Sequence, residues 1–233
     1  MKTNITLHML SEENYDHALE LLKRITALRK GTRGLAFRRV SVDVKDKLRV
    51  ITINAFQSDE AEKEYLKNPG RPTLIDEYAG GKRRVYEKTP SGNVLVFTHV
   101  DAETYEVDTE IVNKKINYKA WENRYTQFSY HGLHEKNREL GLEVLRKNTP
   151  IASKQKGFVS RQVYVGADKP LKAYSVTTWE TLKDLEAFGS TPGRPVIVNG
   201  SDGMNYLKTD KGQVPVFPEN TWGVFKTINE AYG

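Results

Sequence analysis

"GFVSRQVYVGADKPLKAYSVTTWETLKDLEAFGSTPGRP", residues 157–195, lies without a gap over "GLAFRRVSVDVKDKLRVITINAFQSDEAEKEYLKNPGRP", residues 34–72, at an offset of 123. Nine of the 39 positions are identical: Gly34/Gly157, Arg38/Arg161, Val40/Val163, Val42/Val165, Leu48/Leu171 and all of PGRP. Average residue usage would give about two or three. Other pairs keep their character, among them Leu35/Phe158, Ile53/Val176, Phe56/Trp179, Ser58/Thr181 and Tyr65/Phe188. Further on, "YEKTPSGNVLVF" from Tyr86 matches "YLKTDKGQVPVF" from Tyr206 at seven of twelve places, and "TYEV" from Thr104 faces "TWGV" from Thr221. Self-similarity on this scale is read as two copies of one supersecondary unit. Residues 1–112 are expected to form repeat one, 113–122 a linker and 123–233 repeat two.

The order of elements can be read in both copies. In the first, "NITLHML" is a strand, and Ser11 opens a helix whose Tyr15, Ala18, Leu19, Leu22, Ile25 and Leu28 share one face. "LAFRRVSV" and "LRVITINAF" read as a hairpin about the turn "DVKDK", and Ser58 caps a second helix with acidic residues in its first turn. "NPGRP" closes that helix, and a Gly-bearing hairpin and a last strand near "TYEVDTEIV" follow. The second copy gives "RYTQFSY", a helix from Leu133 to Lys147, "FVSRQVYV", "AYSVTTW", a helix from Leu182 to Phe188, a hairpin and "TWGVFKTI". The order β-α-β-β-α-β is ferredoxin-like, so the fold class is α+β.

RNA-recognition domains share this order, and "KGFVSRQVY" opens like their RNP1 signature. That signature belongs on the third strand, whereas here it falls on the second. Val159, Ser160 and Arg161 stand where a small residue, an aromatic and an aliphatic are required, and without two stacking aromatics no base platform forms. A net charge of +6, from 36 basic and 30 acidic residues, is spread over the whole length and reads as a solvated surface rather than a nucleic-acid face. No nucleic acid is therefore expected as partner.

With no cysteine, disulfides, Cys-ligated zinc, iron–sulfur clusters and thiol catalysis are excluded. No stretch is long and apolar enough for a membrane span, and the first residues lack a signal-peptide pattern, so a cytoplasmic protein with no membrane partner is expected. P-loop, G-x-S-x-G and H-E-x-x-H motifs are absent.

Three features resemble the antibiotic-biosynthesis monooxygenase-like family of the dimeric α+β barrel superfamily. They are Gly-aromatic before the second strand ("GFVS" at Gly157), a third strand ending in aromatic-x-Ser/Thr ("WET" at Trp179, "FQS" at Phe56), and a helix like "KDLEAF" closed by a Pro. In that family two ferredoxin-like subunits pair sheet to sheet. The resemblance implies that a chain with two copies closes an intrachain α+β barrel, and it leaves a homodimer of barrels open. It also implies a small aromatic or polycyclic substrate, bound and oxidised with dioxygen by a cofactor-independent monooxygenase. The family's oxygenases use an Asn four residues before the Trp and a Tyr six after it; here those places hold Ser175 and Leu185 in copy two, and Thr52 and Glu62 in copy one. The alternative is a non-catalytic haem- or ligand-binding barrel. In haem-degrading relatives the place of a Trp on the second helix corresponds to Phe188 and Tyr65.

Alternation along the third strands puts Thr52, Asn54 and Phe56 on one face, and Ser175, Thr177 and Trp179 on its counterpart. These polar faces, with Phe188, are the candidate pocket: Trp179, Ser175 and Thr177 as the catalytic set, Thr52, Asn54 and Phe56 as ligand contacts. His131 and His134, three residues apart in "YHGLHEK", are candidate ligand or haem contacts if the helix begins early. No metal site and no obligatory cofactor are expected. The PGRP arginines, Arg71 and Arg194, have a structural first reading and anion contact as the second.

Overall fold

The computed structural model describes residues 2–115 and 123–232, so the linker expected at 113–122 lies, from 116 onward, outside the described residues. Contacts divide the chain into two compact units, Met1–Thr104 with Phe225–Gly233, and Tyr105–Val224.

Unit 1 contains β1 (Lys2–Leu10), α1 (Tyr15–Arg29), β2 (Leu35–Asp43), β3 (Arg49–Phe56), α2 (Asp59–Leu66), β4 (Leu74–Ala79), β5 (Lys82–Thr89) and the first part of β6 (Gly92–Val112). β3 lies between β1 and β2, antiparallel to both, with Ile5 opposite Ile53 and Val40 opposite Thr52. Ala18, Leu21 and Leu22 are buried on one face of α1, against Leu10, Val40, Val50, Val96 and Phe97. α1 begins four residues later than expected. Ser11 instead gives its N–H to the carbonyl of Val96, and Asn14 donates its amide to the carbonyl of Leu95.

Unit 2 contains the rest of β6, then β7 (Tyr125–Gly132), a 3₁₀ turn (Glu135–Asn137), α3 (Arg138–Ala152), β8 (Phe158–Gly166), β9 (Lys172–Trp179) and α4 (Leu182–Phe188). A three-stranded sheet follows, β10 (Ile197–Asn199), β11 (Asn205–Thr209) and β12 (Gly212–Phe217), and then the start of β13 (Glu219–Ala231). β9 lies between β7 and β8, antiparallel to both. The helix expected from Leu133 starts at Arg138; Leu133 instead extends the pairing of β7 with β9 through its N–H to the carbonyl of Leu171, and His134 gives its N–H to that of Val216. It continues to Ala152, with Pro150 in its last turn.

Two strands change unit along their length. Phe225–Ala231 of β13 pairs with β2 in unit 1, and Tyr105–Val112 of β6 pairs with β8 in unit 2. The order of hydrogen-bonded strands is β6-β1-β3-β2-β13-β7-β9-β8 and back to β6, that of an antiparallel α+β barrel.

The Gly that begins each second strand has a packing reason. Gly34 (φ +80°) and Gly157 (φ +69°) sit where a Cβ would come within 2.5 Å of the Ala61 Cβ and 2.8 Å of the Asp184 Cβ. Only a residue without a side chain lets α2 and α4 approach the start of the strand. The basic-Gly-aromatic stretch thus marks a helix–strand contact.

Candidate functional site

Each unit has a half-open cavity. That of unit 2, about 450 Å³, is lined by β7 (Gln127, Ser129, His131), Arg161 of β8, Ser175 of β9, Leu145 and Asn148 of α3, Phe188 and the PGRP segment that follows, and Phe217 and Trp222. The strand period of two brings Gln127, Ser129 and His131 onto one face. His131 is buried, its Nε2 is 3.0 Å from the Ser175 hydroxyl, and its ring lies 4.9 Å from that of Phe217. Burial, with Arg161 nearby, lowers its pKa to about 3, so the imidazole is neutral at pH 7.

Arg161, only 4% exposed, donates Nη1 to the Thr177 hydroxyl and Nη2 to the carbonyl of Leu145 at 3.4 Å. Its Nε has no partner among the described residues. Burial, with the charge of Arg194, lowers its pKa to about 10, which still leaves it charged at pH 7. Arg194 stacks on Phe188 at 4.4 Å and holds the PGRP turn by donating to the carbonyls of Phe188 and Gly189 and to Asn148 Oδ1.

The cavity of unit 1, about 390 Å³, is built from residues at the same offset. His8 lies 3.1 Å from Thr52 and 4.6 Å from the Phe97 ring, and burial first, then Arg38 and Arg83, lower its pKa to about 3. Arg38 donates to Thr26 at 2.9 Å and to Asn54 at 2.5 Å; Arg29, also bonded to Asn54, stacks on Tyr65 at 4.1 Å. Burial, with Arg29 beside it, lowers the pKa of Arg38 to about 9.

The sequence-derived candidates divide accordingly. Ser175, His131 and Phe188 line the cavity of unit 2, and Thr52 and Asn54 that of unit 1. Thr177 stands behind them, bonded to Arg161. Trp179 has no exposed surface and packs edge-on against Phe158 and beside Phe188, so it supports the cavity wall without forming it. Phe56 has the same role in unit 1, packed with Leu35, Tyr65 and Ala231. His131 and His134 do not share a helix face, since one is in β7 and the other follows it; His134 lines neither cavity. Among the described residues no group of three or more acidic or His side chains could hold a metal.

Arg38 and Arg161 were not among the candidates. Their signal was a charged residue kept identical within strands of valine.

No family model and no curated protein matches the sequence. Solved structures do match in fold. The chain resembles a protein of Fusobacterium nucleatum described as a "putative monooxygenase", at TM-score 0.71 and 9% identity, over 99% of this chain and 94% of that one. A protein of Lactobacillus acidophilus with the same description matches at 0.64 and 10%, over 99% and 95%. An anthrone oxidase-like protein matches at 0.61 and 14%, over 98% and 92%. The chain shares the fold of these structures.

Proposed function

We propose that the chain binds a small aromatic molecule in the cavity of unit 2 and oxidises it with dioxygen, without metal or flavin. The observation that carries this reading is a cavity of drug-like size with ring-bearing walls at Phe188 and Phe217 and a polar wall at Ser175, His131 and Gln127. In such a reaction the substrate supplies the electrons. A methylene flanked by aryl rings loses two hydrogens, one oxygen atom becomes the carbonyl and the other leaves as water. The protein's part is to orient the ring and to stabilise the substrate's anionic form, which a charged, partly desolvated guanidinium does strongly. His131, a weak base because burial lowers its pKa to about 3, fixes the Ser175 hydroxyl. The likeness to an anthrone oxidase-like protein makes an anthrone the first substrate to try. Dioxygen uptake should exceed the buffer rate and fall in Ser175→Ala; uptake equal to that of buffer would remove the oxygenase reading.

A second reading, ligand binding without turnover, is favoured by a specific observation: no carboxylate, Tyr or Lys lines this cavity, and its one imidazole, with a pKa lowered to about 3, is only a weak base. A haem ligand would be His131, which would have to leave Ser175 or turn its buried Nδ1 outward. A haemin titration checks this, since binding through His131 gives a saturable Soret shift that His131→Ala abolishes.

A further inference from the structure

Two kinds of arginine environment stand out among the described residues. Arg24, Arg49, Arg83 and Arg146, each at least a third exposed, have carboxylate partners in Glu87, Asp43, Asp76 and Asp108. Arg161 is far more buried, yet the groups it reaches are a hydroxyl and a carbonyl. Arg194, beside it, reaches carbonyl oxygens and the Asn148 amide. No acidic residue lines the cavity that both face. A buried cation without a counter-charge, with a second, half-buried one beside it, is costly, and an anion entering between the two relieves that cost.

We propose that the cavity of unit 2 is a carboxylate site, so that its ligand is an aromatic carboxylate whose anion is received by Arg161 and Arg194 while its ring meets Phe188 and Phe217. This rests on the aromatic-ligand reading above and narrows its substrate class. Part of the arrangement recurs in unit 1, where buried Arg38 bonds Thr26 and Asn54 and Arg71 stacks on Tyr65, but there Asp76, paired with Arg83, also lines the cavity. The arginine pairs occupy identical positions of the two aligned segments, Arg38/Arg161 and Arg71/Arg194. Planar guanidinium forks match carboxylate and phosphate alike. The aromatic wall selects a carboxylate carried on a ring over free phosphate.

Trp222 lines the same cavity and is one of three tryptophans, so it reports on this site alone. In protein labelled with 5-fluorotryptophan, the Trp222 line is assigned by its loss in Trp222→Phe and followed by ¹⁹F NMR. The full chain is titrated with 2-naphthoate, with its neutral counterpart 2-naphthamide, and with inorganic phosphate. Naphthoate should bind at least about tenfold tighter than the amide, in keeping with a charge-assisted contact. Phosphate should neither shift the line nor compete. Arg161→Gln and Arg194→Gln should each reduce the preference for the anion while leaving the amide affinity nearly unchanged, and Arg194→Lys should keep part of it. Arg194 is only half-buried, so its variants carry the test if Arg161→Gln does not fold. Equal affinity for acid and amide, or a preference untouched by both glutamine variants, overturns the carboxylate site and leaves the aromatic reading standing. Displacement of naphthoate by phosphate would show a free-anion site and overturn it too. Binding of neither aromatic overturns both readings together.

Discussion

At the scale of single residues, Trp179 and His131 show what a strand pattern can and cannot convey. Alternation rightly places Ser175, Thr177 and Trp179 on one face, but it does not say where along that face the empty space ends. Phe158 and Phe188 close over Trp179, which becomes core. Trp179→Ala should therefore cost about 3–5 kcal/mol in urea unfolding, as large-to-small changes in a packed core do. A fall in ligand affinity at unchanged stability would return Trp179 to the ligand. His8 and His131 give a pH dependence whose sign is fixed. Their folded pKa of about 3 lies below the ordinary 6.5, so the unfolded chain binds more protons between these values and stability falls as pH drops from 6.5 toward 3. Each contributes up to about 2 kcal/mol of loss by pH 5. Replacing His131 by Gln should flatten the decline of Tm between pH 7 and pH 5; an unchanged slope would mean that the imidazole is not held neutral. Arg161 was harder to read, because a lone charge in a valine-rich strand looks like a solvated edge until the helix that covers it is in place.

At the scale of elements, most of the secondary structure was legible because it rests on local chemistry. Ser58 and Thr181 accept from the N–H three residues on and start α2 and α4 as expected. Helix starts that depend on partners distant in sequence were not legible. The residues expected to open α1 and α3 are held outside the helices, with the N–H groups of Ser11, Leu133 and His134 bonded to the carbonyls of Val96, Leu171 and Val216. Gly157 was noticed for its resemblance to a nucleic-acid motif, whereas its cause is the approach of Asp184 at a positive φ. Gly157→Ala combines that clash with left-handed backbone strain, and should cost more than the roughly 1 kcal/mol of an ordinary Gly-to-Ala change at such a φ. Chemical denaturation of this variant beside Gly193→Ala, where φ is also positive but nothing lies within 4 Å, separates the two effects. Equal losses would remove the packing argument.

For the whole molecule, the internal similarity anticipated the α+β barrel order but not the exchange of strands between units. The division falls inside β6 and β13, since Phe225–Ala231 completes the sheet of unit 1 beside β2. A fragment of residues 1–112 should therefore expose the edge of β2 and self-associate, as unpaired edges do. Light scattering would show this, and adding a peptide of residues 219–232 should reduce it; a monomeric, folded fragment would contradict the strand exchange. The central claim, an aromatic ligand held in the cavity of unit 2, is tested most directly by a crystal structure of the full chain soaked with an anthrone that carries a carboxylate. Density for the ring against Phe188 and Phe217 within reach of Ser175 is the predicted result, and density outside this cavity, with the cavity itself filled only by water, would contradict it.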